Sequence, residues 1–284
     1  MKVSDFHYQL PDSAIAQSAV EPRHNARLLD ARDLSDHFFW QLPALLQEGD
    51  LLVVNDTRVR AARLQGTRVD TGGRIELLLL EKTPDGKWEA LARPSRRLRT
   101  GIRIELDEMI AEVVAVPVNG MVTLHLEATD AEEVIARTGS MPLPPYFSGA
   151  LTSSDRYQTV FANRPGSAAA PTAGLHFTEQ VIRDLSTARV DVVTVDLHVS
   201  LDTFRPMMTR DVEDHLMHSE WCSISAETAS AIAGTRDNGG RVIAVGTTVV
   251  RTLESMSNGT GGVNSGEMRT NLFLTPGSEF TVVD

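Results

Sequence analysis

Apolar residues in segment 61–128 recur in short runs that turn residues separate. The runs include RIELLLLEK, KWEALARP and MVTLHLEA, and PDGK and PVNG stand between neighbouring runs. Short apolar runs divided in this way are typical of antiparallel strands. The spacing predicts a small β-rich domain, built as a barrel or a sandwich. A helical pattern over residues 131–139 follows it, with Gly139 as the expected C-terminal cap.

On either side of this segment, strands alternate with helices. Apolar runs at 51–54, 190–199 and 241–246 predict strands, and the last of them leads directly into the helical pattern TTVVRTLESM. Thr178 and Ser225 stand where N-terminal caps of two further helices are expected. The glycine-rich stretch SNGTGGVNSGE predicts a flexible loop.

This alternation predicts an α/β layer. We therefore expect a mixed α/β main domain with an inserted small β-barrel-like domain. The main domain would comprise residues 1–60 and 141–284, and the inserted domain residues 61–140.

The composition is that of a cytoplasmic globular protein. The chain has 284 residues, 42% of them hydrophobic, which is enough for two cores. Cys222 is the single cysteine, so an internal disulfide is excluded and a reducing compartment fits. No run approaches the roughly 20 apolar residues that span a bilayer. The first 20 residues contain two aspartates and lack the apolar run of a secretory signal. We expect a cytoplasmic monomer without a membrane partner.

The net charge of −11 argues against a general nucleic-acid binder, but the charge is uneven. Segment 93–103, RPSRRLRTGIR, carries arginines and no acid. One interpretation is a solvated loop between strands, and the other is a patch that contacts phosphates. The candidate residues for phosphate contact are Arg93, Arg96, Arg97 and Arg99.

Four of the eight histidines fall between residues 176 and 218. The segment EDHLMHSE holds two of these histidines, and carboxylates flank them. The two histidines are three residues apart and would share one face if the segment were helical. Three interpretations stay open: a metal site, acid–base machinery tuned by carboxylates, and a polar loop, which spacing alone favours. The candidate catalytic residues are His176, His198, His215, His218, Glu213 and Glu220.

Two predicted strands end in polar turns. In VIAVGTTVVRTLES, a turn at Gly246 leads from a strand into a helix. The free amides of the first helical turn and the hydroxyls of Thr247 and Thr248 would point to the same place, with Arg251 nearby. Such a turn suits a carboxylate or a phosphate, whereas capping alone would explain one threonine. In VVNDTRV, Asp56 and Arg58 end a buried strand, where sites are common, although an Asx turn also explains the pattern.

Taken together, these motifs resemble one family over essentially the whole chain. The motifs are FHYQLPDSAIAQSAVEPR, GDLLVVNDTRV, GGRIELLLLE, MPLPPYF, DRYQTVFANRPGSAAAPTAGLHFT, HVSLDTFRP, EDHLMHSE and VIAVGTTVVRTLES. They are similar to those of the S-adenosylmethionine:tRNA ribosyltransferase-isomerases of the queuosine pathway.

The resemblance implies a reaction and its partners. The ribosyl part of S-adenosylmethionine would move onto 7-aminomethyl-7-deazaguanine in the anticodon region of tRNA, giving epoxyqueuosine, adenine and methionine. S-adenosylmethionine would be a co-substrate and no metal would be needed. The four candidate arginines of segment 93–99 would contact the tRNA backbone. His176 would transfer protons, and Phe177 would offer its aromatic face to the sulfonium cation. The resemblance places these residues in substrate binding: Asp56, Arg58, Thr172, Gly174, Phe177, Thr203, Phe204, Gly246, Thr247, Thr248 and Arg251.

The chain departs from the family pattern in three places. Ser200 and Asp202 stand in HVSLDTF where the family usually has glycines, RHNAR replaces the usual Arg-Asp-x-Ser-Arg, and the family normally continues beyond the Val-Val-Asp that ends this sequence at Asp284. Two alternatives therefore accompany the main hypothesis. One is a paralogue that uses S-adenosylmethionine with a small-molecule acceptor, and the other is a non-catalytic ligand-binding relative.

Overall fold

The structure is a computed structural model that describes residues 1–118, 120–144, 147, 153–200 and 207–284. The candidates Asp202, Thr203 and Phe204 lie outside the described residues. The chain divides into two compact units. Unit 1 comprises Met1–Arg58, Pro145–Arg164 and Ala170–Asp284, and unit 2 comprises Val59–Pro144 and Pro165–Ala169.

The strands and helices are listed here in chain order. The strands are β1 (Arg27–Asp30), β2 (Ser35–Phe38), β3 (Leu51–Asn55), β4 (Thr57–Val59), β5 (Arg63–Arg68), β6 (Arg74–Lys82), β7 (Trp88–Arg93), β8 (Arg103–Glu105), β9 (Ile110–Val118), β10 (Met121–Glu127), β11 (Arg164–Ser167), β12 (Asp191–Leu197), β13 (Glu220–Ile224), β14 (Val242–Ala244) and β15 (Gly266–Thr270). The helices are α1 (Leu42–Leu45), α2 (Ala131–Thr138), α3 (Glu179–Thr187), α4 (Ala226–Asp237) and α5 (Thr247–Ser255).

Unit 2 contains a closed antiparallel barrel, which confirms the predicted fold class. Its strands follow the order β10-β7-β6-β5-β8-β9, and β9 pairs with β10 to close it. Fully buried apolar side chains such as Leu77, Ile104 and Leu124 fill the interior. Helix α2 follows the barrel and ends at Gly139, whose φ of −72° is not the left-handed cap expected from the sequence. A Cβ at Gly139 would lie 1.6 Å from the carbonyl oxygen of Ala61, so close packing explains this glycine.

Unit 1 is built on a five-stranded sheet in the order β14-β3-β12-β13-β15. Strands β14, β3 and β12 are parallel, whereas β13 pairs antiparallel with β12 and β15 pairs antiparallel with β13. All five residues of β3 are buried, as expected for the central part of a covered parallel sheet. Helix α3 buries Val181 and Leu185 against Leu52 of β3.

The starts of three helices in unit 1 test the predicted caps. Thr178 accepts a hydrogen bond from the amide of Val181, and Ser225 accepts one from the amide of Thr228, which confirms both caps. Helix α5 is different: its N-cap is Gly246 with a φ of 90°, so neither threonine of the turn is the cap.

The glycine-rich segment that begins at Ser257, which we expected to be a flexible loop, contains internal hydrogen bonds. Oδ1 of Asn258 accepts hydrogen bonds from the amides of Thr260 and Gly262, at 2.9 and 3.1 Å. Ser257 also bridges to Val263, and β15 begins three residues later. An Asx turn of this kind holds the backbone through a side-chain hydrogen bond, which glycine content alone does not predict.

One edge of the unit 1 sheet gathers polar residues. We call it the carboxyl edge, because the parallel strands β3, β12 and β14 all end there. Since β13 runs in the opposite direction, its first residue, Glu220, lies at the same edge. Sites of α/β proteins form at this edge, where loops after neighbouring strands converge.

Candidate active site

Asn55 joins the strand ends at the carboxyl edge. Its side-chain Nδ2 donates to the carbonyl of Leu197 at 3.1 Å, and its Oδ1 accepts from the amides of Leu197 and Thr57. Nδ2 also lies 3.5 Å from Oγ1 of Thr248. The bond to Thr57 is the Asx turn considered from the sequence, and the other contacts join the ends of β3 and β12 to the first turn of helix α5. Asn55 therefore holds the threonine turn in place.

The Gly-Thr-Thr turn lies against the segment Thr172–His176, which forms one 3-10 turn. A Cβ added to Gly246 would stand 3.0 Å from the Cβ of Ala173. Within the same segment, a Cβ on Gly174 would lie 3.0 Å from Thr159. Small residues thus permit both close approaches. The side chains of Thr172 and Thr247 are exposed beside them.

Phe177 and His176 are neighbours in sequence but differ in environment. Phe177 has no exposed surface and packs edge-on against Phe39 and Phe161, with ring centroids 4.8 and 5.3 Å away. A side chain without exposed surface has no face to offer a cation, so the structure does not support the expected contact with a sulfonium. Phe177 is a core residue in this structure.

His176 is exposed, and its ring lies 5.4 Å from that of Phe39. The pKa of His176 is lowered, first because packing removes part of its hydration and second because the charge of Arg23 lies nearby. Arg23 donates to the carbonyls of Gln158 and Asp155 at 2.6 and 2.7 Å. A histidine with a lowered pKa is neutral near pH 7 and can accept a proton.

A buried ion pair forms the second polar group at the carboxyl edge. The side chains of Glu220 and Arg251 are 3% and 9% exposed and hydrogen-bond to each other. Arg251 also donates to the carbonyls of His218 and Thr270, at 2.7 and 3.1 Å. The expected role of Arg251 beside the threonine turn is therefore not supported, because its charge already has a partner.

Glu220 has two further neighbours besides Arg251, of which one is a hydrogen-bond donor. The amide of Ser200 donates to its Oε1 at 2.8 Å, and Nε2 of His218 lies 3.1 Å from the same oxygen. Burial on its own raises the pKa of Glu220, but His218, the Ser200 amide and the charge of Arg251 outweigh it, and the pKa is lowered. Glu220 is thus an ionised group that positions its neighbours.

The remaining histidine candidates are separated. Residues 212–214 form a short 3-10 turn and the chain is extended from His215, so His215 and His218 do not share a helical face. The ring of His215 lies 5.3 Å from that of Phe273. Glu213 is exposed and pairs with the amino group of Met1 at 2.6 Å instead of with a histidine. His198 lies against Trp221, with ring centroids 4.5 Å apart.

Asp56 and Asp196 line a cavity of about 350 Å³ in unit 1. Asp56 was a sequence candidate, whereas Asp196 was missed. Nε2 of His198 lies 3.6 Å from Oδ2 of Asp196. Burial, followed by the charge of Asp196, raises the pKa of Asp56. Arg58 is exposed on β4.

The arginine segment lies between β7 and β8 of the barrel. Leu98 is fully buried and anchors the segment, while the four candidate arginines around it are exposed. Within the described residues, none of these four guanidinium groups forms a salt bridge. They are Arg93, Arg96, Arg97 and Arg99. Nη1 of Arg99 donates to the carbonyls of Leu98 and Arg96, at 2.7 and 3.2 Å. Exposed arginines without a carboxylate partner are suited to phosphate contact.

The described residues contain neither a candidate metal site nor a candidate membrane-spanning helix. No group of three or more histidine, cysteine or acidic side chains has the arrangement of a metal site in the described part of the chain. Among the described helices, none combines the length and apolar character needed to cross a bilayer.

Fold and site together define an α/β protein with a polar site at the carboxyl edge of its sheet and a β-barrel unit. The family model described as "Queuosine biosynthesis protein" matches residues 3–284. The chain belongs to this queuosine biosynthesis protein family, which confirms the family indicated by the sequence motifs.

Curated relatives named S-adenosylmethionine:tRNA ribosyltransferase-isomerase are similar over the full chain. The protein of Caldanaerobacter subterraneus subsp. tengcongensis is 43% identical, covering 100% of this chain and 85% of the relative. That of Symbiobacterium thermophilum is 44% identical with the same coverage. That of Gloeobacter violaceus is 45% identical, covering 98% and 80%. A solved S-adenosylmethionine tRNA ribosyltransferase from Thermotoga maritima is 29% identical over 99% of this chain and 82% of that one, with a TM-score of 0.48.

Proposed function

We propose that this protein is an S-adenosylmethionine:tRNA ribosyltransferase-isomerase. It would move the ribosyl part of S-adenosylmethionine onto 7-aminomethyl-7-deazaguanine in the anticodon region of tRNA, forming epoxyqueuosine and releasing adenine and methionine. Full-length similarity to three relatives with this name supports the proposal. Unit 1 would be the catalytic domain.

The reaction has chemical demands that side chains must meet. The sulfonium acidifies the adjacent 5′ carbon and makes methionine a leaving group, so a base must take a proton there. An acid must assist the departure of adenine, and a polar site must hold the methionine carboxylate. None of these steps needs a metal.

The meeting of the threonine turn with the segment Thr172–His176 is the observation that carries the proposal. The turn opens helix α5, and the free amides of a helix N-terminus attract a carboxylate. Thr247 and Thr248 would bind the methionine carboxylate there. His176 lies at the end of the adjoining segment, and its lowered pKa suits a general base.

His198 and His218 are the remaining acid candidates at the carboxyl edge. Each lies beside a buried carboxylate, Asp196 or Glu220 respectively. A carboxylate partner fixes the orientation of a histidine ring. We propose that one of the two protonates adenine and that Glu220 acts through its neighbours as a positioning residue.

On the barrel, the exposed arginines would contact the tRNA backbone. Their lack of salt bridges within the described residues leaves them available, although the net charge of the chain is −11. A local positive patch on an acidic protein limits non-specific binding to nucleic acid. Unit 2 would then supply affinity and unit 1 the chemistry.

Adenine release tests the proposal. Purified protein is mixed with S-adenosylmethionine and with tRNA that carries either the deazaguanine base or guanine, and free adenine is measured by chromatography. Release that depends on the deazaguanine tRNA supports the proposal. Release that proceeds equally with guanine tRNA or without tRNA contradicts it and favours a small-molecule acceptor. No release in any mixture leaves a ligand-binding protein.

A further inference from the structure

Two aspartates share the cavity in unit 1. Asp56 is 6% exposed and Asp196 is 3% exposed, and both line the cavity of about 350 Å³. Asp56 follows β3 directly and Asp196 lies near the end of β12, and these strands are paired in parallel. The fold therefore places two buried carboxylates side by side at the carboxyl edge.

Each carboxylate lacks a full set of hydrogen-bond donors. Within the described residues, Oδ1 of Asp56 and Oδ1 of Asp196 have no hydrogen-bond partner. Buried polar atoms are normally paired, because an unpaired one loses its hydration without compensation. Both atoms belong to side chains that line one cavity, so a molecule bound there can supply donors to these two carboxylates.

The groups around the cavity favour a positive guest. Glu227 adds a third carboxylate to the lining, and Arg164 is the only lysine or arginine among its lining residues. His198 faces Asp196 at 3.6 Å and is charged only when protonated. An anion would meet carboxylates on the wall, whereas a cation with several N–H donors would satisfy them.

We propose that Asp56 and Asp196 bind a primary ammonium group of a substrate. This inference rests on the proposed function, in which both substrates carry such an amine: the methionine part of S-adenosylmethionine and the aminomethyl group of the tRNA base. An ammonium group has three N–H donors, which suit the two unpaired oxygens and one further acceptor. Hydrogen bonds between charged partners are the strong ones, so the pair would fix the orientation of the bound amine.

The test compares ligands with and without the amine. One pair is S-adenosylmethionine and an analogue with hydrogen in place of the α-amino group. The other is tRNA with the deazaguanine base and tRNA with guanine. Dissociation constants are measured for wild type, Asp196→Asn and Asp56→Asn. The control is Asp191→Asn, because Asp191 is an exposed aspartate on the same strand and lies outside this cavity.

The expected result is a loss of selectivity in one pair. Wild type and Asp191→Asn should prefer the amine-bearing ligand of that pair by about 10- to 100-fold, the range for hydrogen bonds between charged groups. Asp196→Asn should bring the preference close to one. Loss in the first pair assigns the methionine amine, and loss in the second assigns the base amine. Asp56→Asn gives the same test if Asp196→Asn does not fold.

Two results would overturn the proposal. One is a wild type that binds both members of each pair equally well, which needs no variant to fold. The other is a folded Asp196→Asn variant with unchanged selectivity. Adenine release by wild type is measured in parallel: if it proceeds normally, these results reject the ammonium site alone, whereas its absence rejects the proposed function.

Discussion

Arg251→Met tests the buried ion pair at the carboxyl edge. Methionine keeps much of the apolar volume of arginine and removes the charge. It leaves Glu220 with the Ser200 amide at 2.8 Å and with His218 at 3.1 Å, inside a site where its side chain is 3% exposed. Since the carboxylate then has no cationic arginine beside it, we expect a large loss of stability.

The magnitude follows from the burial of both partners. Removing one member of a buried pair costs about 3–5 kcal/mol, and the Ser200 amide and the nearby His218 that remain beside Glu220 place the expected loss near the lower limit. Exposed pairs behave differently and are worth about 0–1 kcal/mol. Arg189→Met breaks the exposed pair with Glu48, whose side chains are 75% and 67% exposed, and is the matched control.

Cys222 offers an assay that is local to this site. It is the single cysteine of the chain, fully buried on the same strand as Glu220, and burial raises its pKa to about 11. Its thiol reacts with a disulfide reagent only when the strand opens. A loss of about 3 kcal/mol corresponds to labelling that is roughly 100-fold faster under native conditions.

Two outcomes would refute this reasoning. One is less than about a fivefold increase in labelling for Arg251→Met, the range of an exposed pair. The other concerns the double variant Glu220→Gln/Arg251→Met, which carries no unpaired charge and should label more slowly than Arg251→Met. Equal or faster labelling of the double variant would show that the charge is not the cause.

Three further predictions concern the patch, the turn and the buried carboxyl. Arg96→Ala/Arg97→Ala should reduce the salt slope of tRNA binding by roughly 0.7–0.9 per lost phosphate contact, and an unchanged slope would return the patch to a solvated loop. Gly246→Ala should lower the free energy of unfolding, followed by thermal unfolding, by about 1–2 kcal/mol, because the φ of Gly246 is 90° and the added methyl would lie 3.0 Å from the Cβ of Ala173. Gly234→Ala, where the added methyl meets open space, is the control and should not destabilise. Asp56 has a raised pKa, so its contribution to stability falls as pH rises from about its ordinary value of 3.8 through the raised value. The stability of Asp56→Asn relative to wild type should therefore be greatest at neutral pH. A difference in melting temperature that does not depend on pH would contradict this.

The fold followed largely from local pattern. Barrel strands alternate apolar and polar residues along a short stretch of chain, and turn residues mark their ends. Thr178 and Ser225 were recognisable as caps because capping depends on a side chain and an amide three residues away. The exception was the Gly-Thr-Thr turn, where the positive φ of Gly246 makes glycine the cap and leaves the threonines within the helix.

The candidate site was less accessible to sequence reasoning, because its contacts join distant segments. Asn55 meets Leu197 only through the register of β3 with β12, which no local pattern reveals. Asp196 was missed for the same reason. Phe177, by contrast, carried a local signal: an apolar residue before the cap Thr178 often packs on the fourth helical residue, here Ile182, and both belong to one core cluster.

The fate of the ribosyl carbons tests the central proposal most directly. S-adenosylmethionine labelled with ¹³C in its ribose is incubated with the protein and with tRNA that carries 7-aminomethyl-7-deazaguanine. The tRNA is then digested and its nucleosides are analysed by mass spectrometry. The account predicts that all ribosyl carbons appear on the modified nucleoside while unlabelled adenine and methionine are released. Label that stays in soluble products, with the tRNA base unchanged, would contradict it.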